Sequence, residues 1–162
     1  IVTAVEYRLK KKASLNLDYG LVRQRVSELG GASLSNVRKA IIEIRNSKLP
    51  DPKEQGSAGS FFKNPEVESY VANAILERYE QMPHYQLPDG RVKIPAGWLI
   101  EQAGWKGRSL GNAAVHSKQA LVLVNKGSAT GSDVMNLATA IRHDVYERFG
   151  IDLEMEVCSI GG

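Results

Sequence analysis

Val5, Tyr7 and Leu9 alternate with Glu6, Arg8 and Lys10, the two-residue period of a half-buried strand, and such a strand needs a sheet. The period then lengthens. Leu21, Val22, Val26 and Leu29 fall at helical spacing within a helix expected from Tyr19 to Leu29, and Gly30-Gly31 stops it. Val37, Ala40, Ile41 and Ile44 line one face of a second helix, with Ser33 or Ser35 as its cap, and Pro50 and Pro52 forbid its continuation. From Leu49 to Pro65 the chain turns to Pro, Gly, Ser and charge, which marks a long connection and a candidate domain boundary. Asn64 as N-cap and Pro65 as first helical residue predict a third helix, with Val67, Tyr70, Val71, Ala74 and Ile75 on one face and an end near Gln81.

Pro88-Asp89-Gly90 signals a turn ahead of the short apolar stretch Val92-Lys93-Ile94. Trp98, Leu99 and Ile100 suggest a short helix ended by Gly104. Ala113 to Val115 and Ala120 to Val124 read as strands, the second a continuous apolar run suited to burial on both faces. Ser132 is placed to cap a last helix bearing Val134, Leu137, Ala138, Ile141, Val145 and Phe149, with Gly150 closing it. A C-terminal strand follows, in which Leu153, Met155 and Val157 face one way and Glu154, Glu156 and Cys158 the other. These elements predict an α+β fold, a small, largely antiparallel sheet packed with helices, without internal repeats.

At 162 residues and 43% hydrophobic composition the chain can bury a real core, enough for one domain or slightly more. Its 21 basic and 18 acidic residues leave a formal charge of +3, too little for a nucleic-acid binder without a localised patch. The basic run Lys10-Lys11-Lys12 reads as a solvated turn. Cys158, the single cysteine, excludes an internal disulfide framework and fits a reducing compartment, with the cytoplasm as default. Neither a membrane span nor a signal peptide is visible. The chain opens without Met, inside what reads as a strand, as a piece of a longer protein would. His84, His116 and His143 lack close pairing with one another or a second cysteine, so no metal site is expected and each reads as a surface or core histidine.

Gly56-Ser57-Ala58-Gly59-Ser60-Phe61-Phe62-Lys63-Asn64-Pro65 carries the most chemistry. Glycines at 56 and 59 permit left-handed angles and close approach, and the expected helix start at Asn64 would favour an anion. The segment matches neither the dinucleotide fingerprint nor the P-loop, and Lys126 to Gly131 fails the same test and serves to lead into the last helix. No G-x-S-x-G elbow is present, so covalent hydrolysis by Ser60 is disfavoured. From spacing alone Ser60 is an ordinary loop hydroxyl, Phe61 and Phe62 anchor the loop to the core, and Glu154 and Glu156 form a solvated edge. The competing reading joins a proton donor and a carboxylate from distant segments, as acid chemistry usually does.

Several runs resemble the UDP-N-acetylenolpyruvoylglucosamine reductases of bacterial peptidoglycan synthesis. They are Ser47-Lys48-Leu49-Pro50-Asp51-Pro52-Lys53, Gly59 to Pro65, Ala96-Gly97-Trp98-Leu99-Ile100-Glu101-Gln102, Ala114-Val115-His116 with Gln119 to Leu123, and Leu153-Glu154-Met155-Glu156-Val157. The resemblance spans nearly the whole chain. It implies a flavoprotein in which NADPH reduces FAD, and hydride then passes to UDP-N-acetylglucosamine enolpyruvate to give UDP-N-acetylmuramate. It further implies Ser60 as the general acid and Glu156 as the carboxylate that helps stabilise the enolic form. Lys48, Asn64, Tyr85, Lys106 and Gln119 match positions that contact the uridine diphosphate portion, and Tyr19 matches a mobile-loop tyrosine of one subgroup.

The departure from the family lies upstream. The flavin-binding region, with an arginine that partners the catalytic carboxylate, precedes this segment in family members. Residues 1–47 are therefore expected to be a remnant of the FAD-binding domain with following helices, 48–158 the substrate-binding domain and 159–162 a truncated tail. On this reading the chain binds the UDP-sugar, supplies the proton donor, does not retain FAD and is inactive alone. The alternative is a free-standing nucleotide-sugar or polyanion binding module without redox chemistry.

Overall fold

The computed structural model describes residues 2–160, so the tail positions Gly161 and Gly162 and the first residue of the expected opening strand lie outside the described residues. The chain divides into two compact units, Ile1–Ser47 and Lys48–Gly162.

In the first unit, α1 (Val22–Glu28) buries Val22 and Val26 against Ala40 of α2 (Leu34–Lys48), with Leu17, Leu29, Val37 and Ile44 packed around them. Ser33 is the cap of α2, because its Oγ accepts the backbone N–H of Asn36 at 3.1 Å. The predicted opening strand does not form. Val5, Tyr7 and Leu9 are 64%, 76% and 83% exposed, and no described segment pairs with them. A period-two pattern supplies one face of a strand but none of its inter-strand hydrogen bonds.

The second unit is built on two small antiparallel sheets rather than one. A four-stranded sheet runs β1 (Ser57–Ser60), β7 (Val122–Asn125), β6 (Ala113–Val115), β5 (Ser109–Leu110). A three-stranded sheet runs β2 (Glu66–Val67), β4 (Val92–Lys93), β3 (Tyr85–Gln86). α5 (Gly131–Phe149) lays Leu137, Ile141, Val145 and Phe149 on the inner face of the larger sheet, where Ala113, Val115 and Leu123 meet them. Leu99 and Ile100 of α4 (Ala96–Gln102), with Phe62, Ile94 and Leu153, complete this core. The outer face carries a smaller cluster, Ala114, Val122 and Val124, with Leu49 packed on it. Val122 to Val124 are thus buried on both sides, as their continuous apolar run predicts.

Further expectations change. Asn64 and Pro65 do not open a helix: Glu66 and Val67 pair with Lys93 and Val92, and the Ile94 N–H donates to the Pro65 carbonyl at 3.0 Å. Pairing wins because Glu66 also forms ion pairs with Lys93 at 2.8 Å and Arg91 at 3.0 Å, while α3 (Ser69–Leu76) starts later and buries Ala72 and Ile75. Tyr70, expected on the apolar face, is 75% exposed, and the helix stops short of Gln81. Thr130, not Ser132, caps α5. The C-terminal segment keeps its alternation, with Leu153 buried between exposed neighbours, but joins the fold through the isolated Phe62 and Met155 bridge instead of a full strand. No described helix is long and apolar enough to cross a membrane.

Candidate functional site

Ser60 stands at the end of β1 opposite Val122, exposed, where the register slips between Ser57 and Ser60. Gly59 makes that slip possible: its φ of 79° lies in the left-handed region that a β-carbon disfavours. The next residue hands the chain from one partner to another. Phe61 donates its N–H to the Leu121 carbonyl at 2.9 Å, and its own carbonyl accepts the N–H of Glu156 at 2.9 Å. The Lys63 N–H then donates to the Glu154 carbonyl at 2.8 Å. Residues 61–63 and 154–156 are therefore paired antiparallel, across 91 positions in sequence, anchored below by Phe61 and Phe62, which are 3% and 0% exposed. Lys63 and Glu154 also form an ion pair at this ribbon. The Lys63 ammonium is held above its ordinary value chiefly by the Glu154 hydrogen bond, with a smaller attraction from Glu156.

Asn64 and Gln119 converge elsewhere, at the start of α4. Asn64 Oδ1 accepts the Ala96 N–H at 2.9 Å, so this asparagine caps a helix distant in sequence instead of the one expected after it. Gln119 Oε1 accepts the Leu121 N–H at 3.3 Å and lies where a β-carbon on Gly97 would approach it to 3.2 Å. Both amides keep their NH₂ groups as donors. Lys106, beyond the other end of α4, pairs with Glu101 at 2.8 Å. Tyr85 is 62% exposed on β3, beside Lys93. Lys48 is exposed next to Leu49, which rests on the outer face of the larger sheet. Tyr19 belongs to the first unit, in the turn before α1, and is 84% exposed.

Two clefts flank the paired segments. One, of about 660 Å³, is bordered by Ala58, Phe61, Thr130, Met135, Met155 and Val157. The other, of about 400 Å³, is bordered by Lys63, Asn64, Glu66, Arg91, Asp152 and Glu154. The larger of these two clefts has no Lys or Arg on its lining to meet a dinucleotide's diphosphate, whereas the smaller carries Lys63 and Arg91. His116, which reads from the sequence as a surface or core histidine, is half-buried directly after β6, and the strand period puts it with Ala114 on the face opposite to Val115.

Fold and site together define an α+β domain in which a serine-ended strand is pinned to a carboxylate-bearing segment. Residues 51–160 match the family model for the C-terminal domain of UDP-N-acetylenolpyruvoylglucosamine reductase, and the chain belongs to that family. It is 53% identical over 156 residues to the reductase of that name from Bacteroides fragilis, covering 96% of this chain and 47% of that protein. Against the Burkholderia vietnamiensis protein of the same name the identity is 50% over 162 residues, covering 97% and 46%. The chain thus spans about half the length of the curated relatives it matches. A solved structure of the Thermus caldophilus reductase aligns over 80% of this chain and 37% of that one, at 25% identity and a TM-score of 0.44.

Proposed function

We propose that the chain is the substrate-binding, proton-donating part of a cytoplasmic reductase that converts UDP-N-acetylglucosamine enolpyruvate to UDP-N-acetylmuramate in cell-wall synthesis. The relatives' names and the identity to them support the reaction class. NADPH and FAD would supply the hydride, with the flavin held by the part of the protein beyond the aligned half. Addition of hydride to the enolpyruvyl double bond leaves negative charge delocalised into the neighbouring carboxylate. Ser60 Oγ–H is the donor that delivers a proton to the carbon bearing that charge, and Glu156 steadies the enolic form.

The observation that carries this reading is the 2.9 Å bond from the Glu156 N–H to the Phe61 carbonyl, which sets the serine strand beside the carboxylate segment. Lys48, Asn64, Tyr85, Lys106 and Gln119 are proposed to hold the uridine diphosphate, and Tyr19 is carried as a further substrate-binding residue from the family match. Asn64 and Gln119 can offer N–H donors to its oxygens, since their carbonyl oxygens are already occupied.

The test separates the two half-reactions of the full-length protein. Ser60→Ala is expected to leave flavin reduction by NADPH intact and to slow reoxidation by the enolpyruvyl substrate by roughly 10²–10⁴-fold, the usual contribution of a positioned acid. Equal loss in both would make Ser60 a structural residue and overturn the assignment.

A further inference from the structure

His116 follows β6, and its N–H donates to the Val122 carbonyl at 2.9 Å, continuing the ladder between β6 and β7 by one residue. On the other side of β7, Val122 is the register partner of Ser60. Ser60, Val122 and His116 therefore form one row across three strands. Ala114, Val122 and Val124 belong to the outer cluster, while Ala113, Val115 and Leu123 belong to the main core. Alternation then puts His116 on the outer face that Ser60 shares. The row spans two inter-strand spacings, roughly 10 Å, a span that one ligand can bridge.

The imidazole has a defined hydrogen-bonding state. Its Nδ1 accepts the Lys118 N–H at 3.3 Å; a backbone N–H can only donate, so the proton of the neutral ring sits on Nε2. Burial pushes the His116 pKa down, and the charge of Lys118 lowers it further, which favours that neutral form. No described group accepts the Nε2 proton, and no described buried side-chain nitrogen lacks a partner, so Nε2 is not sealed in the core.

We infer that His116 is a further substrate-contacting residue, presenting its Nε2–H from the Ser60 face to an anionic oxygen of the bound nucleotide sugar. The inference rests on the functional reading above. A diphosphate oxygen and the enolpyruvyl carboxylate share this chemistry. A neutral donor suits either, because it adds a directed hydrogen bond without the desolvation cost of a second cation.

The experiment uses the full-length protein with His116→Phe, which removes the donor, and His116→Gln, which keeps an N–H near the Nε2 position. His116→Phe should raise KM for the enolpyruvyl UDP-sugar about tenfold or more, as loss of a hydrogen bond to a charged group does. His116→Gln should stay within about threefold of wild type, and flavin reduction by NADPH should be unchanged in both. Inhibition by UDP weakens in step with KM if the partner is the diphosphate and holds constant if it is the carboxylate; either result supports the contact. Unchanged KM in His116→Phe overturns it, as do equal losses in both variants with lowered melting temperatures, which indicate packing. Failure of the wild-type protein to turn over the substrate removes the functional reading and this inference with it, whereas normal wild-type turnover with an unaffected His116→Phe removes this inference alone.

Discussion

Asn64 shows how one side chain can hold two duties. Its Oδ1 satisfies the Ala96 N–H at the start of α4, a helix whose own flanking residue, Pro95, offers no side-chain cap. Its NH₂ group remains a donor toward a ligand. Asn64→Ala is expected to lower stability by about 1 kcal/mol, the usual cost of a lost cap, and Asn64→Asp to restore most of it because the acceptor oxygen is kept. Denaturant unfolding of the intact protein checks both. If Asn64→Ala unfolds like wild type, the bond to Ala96 contributes nothing and the residue serves the ligand alone. At Ser60 and Glu156, side-chain chemistry is local but proximity is not: two backbone hydrogen bonds, from Lys63 and Glu156, bring the segments together.

At the scale of elements, α5 is the most strongly specified piece of the molecule. Thr130 Oγ1 accepts the Asp133 N–H at 3.2 Å, and Asp133 Oδ2 accepts the Thr130 N–H at 2.8 Å, a reciprocal capping box. Thr130→Ala should cost about 1 kcal/mol and lower the melting temperature, read by calorimetry on the intact protein. The backbone N–H of Thr130, then its hydroxyl, holds the Asp133 carboxyl below its ordinary value. The sign follows: the carboxylate's contribution is complete above the unfolded-state value and is lost as pH falls through the lowered folded-state one. An acid titration in which wild type and Thr130→Ala differ equally at every pH would refute that link. The short strands behave differently. β2 has two residues, and the decision between helix and strand at Pro65 went to the partner strand carrying Lys93, 27 positions away from Glu66 by the register Glu66 to Lys93. Local propensity is too weak to outweigh such pairing.

Over the whole molecule, the two units and the roughly half-length coverage of relatives frame one more expectation. Purified by itself, the 162-residue chain should carry no yellow flavin in its absorbance spectrum, since the cleft of about 660 Å³ beside Phe61 and Met155 has no cationic lining for the dinucleotide. A stoichiometric bound flavin would overturn the assignment of that cofactor to the other half. Such a chain could still bind the UDP-sugar, which calorimetric titration would separate from the redox chemistry.

By itself the sequence determined the α+β class, the core face of α5, that of α2 except for Ile41, which is 42% exposed, the double burial of Val122 to Val124, the alternation around Leu153 and the family to which the chain belongs. These rest on periodicities and motifs that span many residues, so no single local preference can reverse them. Tertiary structure alone decided that Asn64 caps α4, that Glu66 pairs instead of coiling, that Thr130 rather than Ser132 starts α5, that Val5 to Leu9 stays unpaired, and that His116 lines up with Ser60. Each depends on which hydrogen-bonding partner reaches a backbone or side-chain group in space, and for segments this short that partner outweighs intrinsic propensity.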